Sequence, residues 1–196
     1  QRGCTTKGKL TVYEETEIYP IPDDKFTEYP KQFRKTLTNL VELHYERFQG
    51  YGGCGVLVNR YQILTASHYV PIDGRIKIVN KKHGSLTDIN DSQKNDNADI
   101  AIISLKTPIN DAYSLKFYEE DIVNGLKIAY LGFNKAGDLK FEQGRIIEVD
   151  WKNGAQVFRD NIPTKFGNSG GVLVEYETGH IIGVRAYLQH QGSPSG

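Results

Sequence analysis

From about residue 39 onward the chain is a succession of short apolar runs, and no stretch of helical periodicity is long enough to form a crossover helix. That one feature excludes a parallel α/β sheet, whose strands need connections of about a dozen residues or more. The runs fall at residues 55–58, 75–79, 100–105, 127–132, 145–149, 171–176 and 181–187, and they are rich in Val, Ile and Tyr. Such side chains suit a pleated, half-buried surface. Clusters of Gly, Asn and Asp at residues 80–97, 137–138, 153–154 and 178–179 separate them. Short strands between turn signals predict an all-β fold of antiparallel strands, a barrel or a sandwich. No fixed-period repeat, heptad or long low-complexity tract is present.

Residues 1–38 have a different character. Glu14, Glu15, Glu17, Asp23, Asp24 and Glu28 alternate with Pro20 and Pro22, and Pro30 follows. Proline removes a backbone donor, so this stretch forms neither a continuous helix nor a central strand. It reads as an extended arm over the body, with a short helix near residues 31–40. The domain reading is therefore an arm at 1–38 and a body at 39–196. The tail 191–196 reads as loose.

Bulk properties bound the function. The 196 residues contain 24 Lys+Arg and 24 Asp+Glu, a formal net charge of zero. No charge balance points to nucleic acid or to an anionic membrane surface. No apolar run approaches the roughly 20 residues that cross a bilayer as a helix. The chain starts at Gln1 and has no Met, which fits either an arbitrary boundary or a processed, secreted mature form. Its two cysteines, Cys4 and Cys54, are too few for a zinc site of their own. They form one bridge, worth ~4 kcal/mol in the chain-entropy picture, or remain two thiols.

Three motifs carry possible chemistry. Acyl transfer by a hydroxyl needs a serine poised to attack, a histidine to take its proton, and donors for the developing oxyanion. Phe166-Gly-Asn-Ser-Gly-Gly171 precedes a strand, and its glycines let the backbone turn sharply around Ser169. The N–H groups of Gly167 and Ser169 can then face one point. Taken alone, the motif is equally an ordinary glycine turn. Ile63-Leu-Thr-Ala-Ser-His-Tyr69 sets His68 at a strand end, hence at a barrel rim. A lone histidine is more often a plain polar residue. Ala98-Asp-Ile-Ala-Ile-Ile103 sets Asp99 at the mouth of a buried strand, where a carboxylate needs a partner. A histidine Nδ1–H is a suitable one. Asp88, Asp91 and Asp96 read as solvated charges of a polar loop.

In the order His, Asp, Ser these motifs resemble the hallmarks of the chymotrypsin/trypsin-like serine proteases. The resemblance covers about residues 40–188. It implies two antiparallel six-stranded β-barrels, the first at about 39–110 and the second at about 120–190, with a catalytic triad of His68, Asp99 and Ser169 in the cleft between them. It implies an oxyanion hole from Gly167 and Ser169, and protein or peptide substrates. Cys54 matches a family cysteine upstream of the histidine. The usual partner position holds Tyr69, which leaves Cys4 as the suggested partner.

Departures narrow the resemblance. Asn168 stands where animal trypsins carry an aspartate that pairs with a new N-terminus, and no Ile-Val-Gly-Gly start is present. Asn168 and the segment Ala129-Tyr-Leu-Gly-Phe133 look nearer to the bacterial glutamyl-endopeptidase-like and HtrA-like branches. The aspartate behind Lys/Arg specificity should fall near Pro163 and is absent. Thr164, Arg185 and Tyr187 are the expected S1 residues. Arg185 matches a residue that contacts acidic substrates in glutamyl endopeptidases, so an acidic P1 preference is expected, against a solvent-facing Arg185. Ala186 replaces a serine that supports the triad carboxylate in many relatives. Compared with the family the chain stops early, which suggests a second barrel shortened at its C-terminus. The competing function is an inactive protease homologue acting as a protein-binding module. No cofactor is expected. A structural Ca²⁺ in the polar loop 88–97 is the one metal that relatives suggest, against a simply solvated loop; that loop lacks the glycine and final Glu of an EF-hand.

Overall fold

The computed structural model describes residues 5–11, 23–45, 50–70, 73–86, 89–96, 98–152, 154–163 and 170–186. Two β-sheets dominate. The first contains β1 (Thr5–Thr11), β2 (Leu40–Tyr45), β3 (Gly50–Leu57), β4 (Gln62–Ala66), β5 (Asp73–Asn80), β6 (Gly84–Leu86), β7 (Ile89–Asn95) and β8 (Ile100–Leu105). Its strand order is β1-β7-β8-β4-β3-β2-β5-β6, and β1 also pairs in parallel with β5, which curls the sheet shut. The second contains β9 (Lys127–Phe133), β10 (Leu139–Lys152), β11 (Ala155–Asp160), β12 (Val172–Glu175) and β13 (Ile181–Val184), in the order β11-β10-β9-β12-β13.

Period-two alternation assigns the core. On β8, Ala101, Ile103 and Leu105 fill the interior of the first sheet with Val41, Leu43, Leu57, Ile63 and Ile78. Ile100 and Ile102 face the other way, into a cluster shared with the second sheet. On β9, Ala129, Leu131 and Phe133 join that shared cluster, while Ile128 and Tyr130 enter the second sheet's interior beside Leu173, Phe158 and Ile146. A strand buried on both faces reads as a continuous apolar run, which is why β9 is so visible in the sequence; β8 adds a partly buried apolar face to its buried one. The result is a three-part core: one cluster inside each curled sheet and one between them.

The arm is integrated into this body. Thr5–Thr11 pairs with β7 in antiparallel register, Thr5 opposite Asn95. The short helix expected near residues 31–40 is a 3-10 turn at Lys31–Phe33 running into α1 (Arg34–Asn39). Phe26, Phe33 and Leu37 insert into the cluster between the sheets. Burying a side chain such as Phe33 stabilises by about 1.5–3 kcal/mol.

Among the described residues the first curled sheet has eight strands and the second five, within the expected all-β, two-barrel architecture. The arm supplies strand β1. The polar segment read as a loop is largely strand β7: its backbone is captured between β1 and β8, and pairing overrides the low β-propensity of Asn, Asp, Ser and Lys. Cys54 is buried on β3. Its sulfur receives the Phe133 N–H at 3.1 Å, and its S–H donates to the Phe133 carbonyl at 3.2 Å. Cys4 lies outside the described residues.

Two buried carboxylates give the fold an acid limit. Burial of Glu42 raises its pKa, but bonds and charge from His44 and Lys81 outweigh that and hold it below the usual glutamate range; Lys81 Nζ lies 2.5 Å away. Burial likewise raises that of Glu175, and the Thr178 hydroxyl with the N–H groups of Glu177 and Thr178 brings it below the usual range. A carboxylate with a depressed folded pKa contributes stability above its unfolded value, about 4.3. That contribution disappears as pH falls through the folded value. The melting temperature should therefore be insensitive to these groups from pH 7 to about 5 and decline below about 4. Calorimetry across this range checks it, and Glu42→Gln and Glu175→Gln should each shallow the decline.

Candidate active site

Strand pairing brings the histidine and the aspartate together. β4 and β8 are antiparallel neighbours with Ala66 opposite Ile100. The end of β4 and the start of β8 therefore meet at one edge of the sheet. Ser67–Tyr69 forms a 3-10 turn just past β4, and Asp99 sits just before β8. Asp99 Oδ2 lies 2.7 Å from His68 Nδ1, and Asp99 Oδ1 accepts the His68 main-chain N–H at 2.9 Å. Both carboxylate oxygens serve one residue. The Asp99 side chain is 11% exposed and that of His68 31%, so the acid is sheltered while the imidazole reaches the surface.

The His68 main-chain N–H gives Asp99 a second donor. The expectation is that Asp99, lacking a serine hydroxyl at residue 186, leans on other donors. The His68 N–H is such a donor, and Ala186 is nearly buried at 8% exposure.

The strand carrying the glycine motif reaches the same region. Gly170 has φ +82°, and a Cβ there would collide with the Cys54 carbonyl oxygen. A residue with no side chain is required, for conformation and for space. Cys54 belongs to β3, and its carbonyl also accepts the Thr65 hydroxyl at 2.6 Å, three residues before His68. The backbone directly after Ser169 thus packs onto the strands that end at His68. The Gly170 N–H donates to the Arg185 carbonyl at 2.8 Å, and the Arg185 N–H to the Gly171 carbonyl at 2.7 Å. Gly171 faces the Tyr130 hydroxyl so closely that a Cβ would overlap it. Burial raises the Tyr130 phenol well above its usual 10, and the neighbouring Cys54 adds to the rise. Ser169, Gly167, Thr164 and Tyr187 lie outside the described residues.

Arg185 does not face solvent. It is 1% exposed, and its Nη1 and Nη2 form a two-pronged pair with Asp160 at 2.9 and 3.2 Å. The guanidinium also lies over the Tyr130 ring, 5.4 Å from its centre. Its Nε is buried without a hydrogen-bond partner. Asp160, at the end of β11, was not singled out by the sequence. A charged residue inside an otherwise apolar run is the signal that a counter-charge must exist. Asp96 is exposed, as expected of a solvated charge, and its Oδ1 also accepts the hydroxyl of Ser67. Among the described residues no group of three or more His, Cys, Asp or Glu side chains converges as a metal site.

The trypsin-like peptidase domain model matches residues 53–184, well over half of the chain. The chain belongs to the trypsin-like peptidase family. Solved structures agree in fold. The Rv3671c protease from M. tuberculosis, in its active form, superposes with a TM-score of 0.70 at 19% identity, covering 96% of this chain and 88% of that one. The HtrA-type protease AlgW with a tripeptide gives 0.68 at 16% identity, covering 84% of this trypsin-like chain and 56% of AlgW. The scabies mite inactivated protease paralogue S-I1 gives 0.66 at 20% identity, covering 82% and 88%. No curated protein matches by sequence. For a trypsin-like peptidase, the two curled sheets are the expected double barrel.

Proposed function

We propose that this protein is a serine endopeptidase that works through Ser169, His68 and Asp99. The observation that carries the reading is the His68–Asp99 pair, with Nδ1 to Oδ2 at 2.7 Å. A carboxylate on Nδ1 fixes the tautomer that leaves Nε2 as a base, and it stabilises the imidazolium formed when His68 takes a proton. In the proposed cycle His68 removes the Ser169 proton as the serine oxygen attacks the scissile carbonyl. The N–H groups of Gly167 and Ser169 receive the oxyanion; one such donor is typically worth about 3 kcal/mol of barrier. His68 then protonates the leaving amine, and water hydrolyses the acyl-enzyme. No cofactor takes part.

The expected acidic P1 preference is a second, finer proposal. Its support is the buried Arg185 Nε, a donor without an acceptor. Against it stands Asp160, which already occupies both Nη groups. Incubation with a P1-diverse peptide library tests both proposals together. Cleavage by the native protein and none by Ser169→Ala supports the endopeptidase. Enrichment of Glu or Asp at P1 supports the acidic pocket, and an even P1 profile removes it. An intact library with well-folded protein would favour the inactive, partner-binding homologue.

A further inference from the structure

We propose that Ser67 and Asp96 form a positioning clamp that holds Asp99 in the conformation needed to engage His68. The inference rests on the reading of His68 and Asp99 as a catalytic pair. Asp99 is, among the described residues, the one non-glycine with positive φ, at 51°. A residue with a Cβ is uncommon in that left-handed region, which Asp enters more readily than most when local hydrogen bonds hold it. The two bonds to His68 use the Asp99 side chain. They do not by themselves fix the backbone of the turn that presents it.

Ser67 fixes that backbone at both ends. Its N–H donates to the Asp99 carbonyl at 3.1 Å. Its hydroxyl donates to Asp96 Oδ1, three residues upstream on the same turn. Asn95 Oδ1 adds an internal tie by accepting the Ala98 N–H at 3.2 Å. Ser67 is completely buried, whereas the Asp96 side chain is 62% exposed. A carboxylate so open to water has no need of a buried hydroxyl, but a buried hydroxyl needs an acceptor, and a charged one makes the stronger bond. Lys94 is the neighbouring cation, its Nζ 3.9 Å from Asp96 Oδ1. Ser67 is also covalently adjacent to His68. One residue therefore couples the histidine's turn to both ends of the aspartate's turn, and loss of its hydroxyl removes the tie to Asp96 while the pairing of Asn95 with Ile100 remains.

The test compares Ser67→Ala, Ser67→Thr, Asp96→Ala and Asp96→Asn by kinetics and by NMR of the His68 ring nitrogens. Loss of orientation in a catalytic constellation lowers turnover without altering ground-state binding. Ser67→Ala and Asp96→Ala should each reduce kcat by about 10-fold with KM nearly unchanged. The double alanine variant should be no worse than either single one, because both remove the same bond. Ser67→Thr keeps the hydroxyl and Asp96→Asn keeps an acceptor oxygen, so both should retain most of kcat. The ring-nitrogen shifts that report the His68–Asp99 bond should change in the alanine variants and return in the conservative ones. Unchanged kcat and unchanged shifts in Asp96→Ala, an exposed site that tolerates truncation, would overturn the clamp. If the native protein cleaves no peptide, the endopeptidase reading fails separately, and the NMR shifts still decide the clamp.

Discussion

His68→Ala should lower turnover by on the order of 10⁴-fold or more while the protein stays folded. The variant removes the proposed base, but Asp99 keeps the main-chain N–H of residue 68, which donates to Oδ1 at 2.9 Å in the native protein. The carboxylate is not left orphaned, so the stability loss should remain within about 1–2 kcal/mol. Asp99→Asn should produce a loss of similar size by a different route. The amide oxygen still accepts the main-chain N–H, but its NH₂ then faces Nδ1. That reverses the tautomer and places the imidazole proton on Nε2, where the serine proton must arrive. Steady-state kinetics with matched circular dichroism checks both variants. Near-normal turnover in either one would remove the pair from the mechanism.

Asp160→Ala is expected to be the most destabilising single change, at about 3–5 kcal/mol. The Asp160 side chain is fully buried and that of Arg185 is 1% exposed. Truncating the acid leaves a guanidinium uncompensated inside the second sheet. It also removes the acceptor of the Ile162 N–H, bonded to Asp160 Oδ1 at 2.9 Å. Cation desolvation dominates, because a buried ion pair is net neutral or even costly when intact and expensive only when broken. The double variant Asp160→Leu with Arg185→Met should therefore be more stable than Asp160→Ala alone. Because the Arg185 backbone bonds Gly170 and Gly171, the disturbance reaches the chain beside Ser169, and activity should fall along with stability. Chemical denaturation of the three proteins measures the first effect. A loss under about 1 kcal/mol would mean that water or a rearrangement satisfies the cation.

The parts of this molecule that were legible in the sequence are those whose physics is local. β9 is buried on both faces, and β8 alternates buried with partly buried apolar positions, so both appear as largely apolar runs. His68 and Asp99 appear at the ends of such runs, and the pairing of Ala66 with Ile100 unites them. The parts that were hidden depend on distant partners. β7, Ile-Asn-Asp-Ser-Gln-Lys-Asn, looks like a loop because its stability comes from the ladders with β1 and β8 rather than from its own side chains. β1 was hidden in an arm whose composition is that of a linker. The pairing of Arg185 is hidden because its partner, Asp160, lies 25 residues away on β11. Asp96 looked like one more solvated acid, since nothing in a linear reading ties it to Ser67.

Fluorophosphonate labelling followed by peptide mapping tests the central claim most directly. The reagent reacts with a serine only when a base and an oxyanion hole activate it. The account predicts stoichiometric modification of native protein at Ser169, none in Ser169→Ala, and strong attenuation in His68→Ala. Folded native protein that takes up no label, or label that persists in Ser169→Ala, would contradict it.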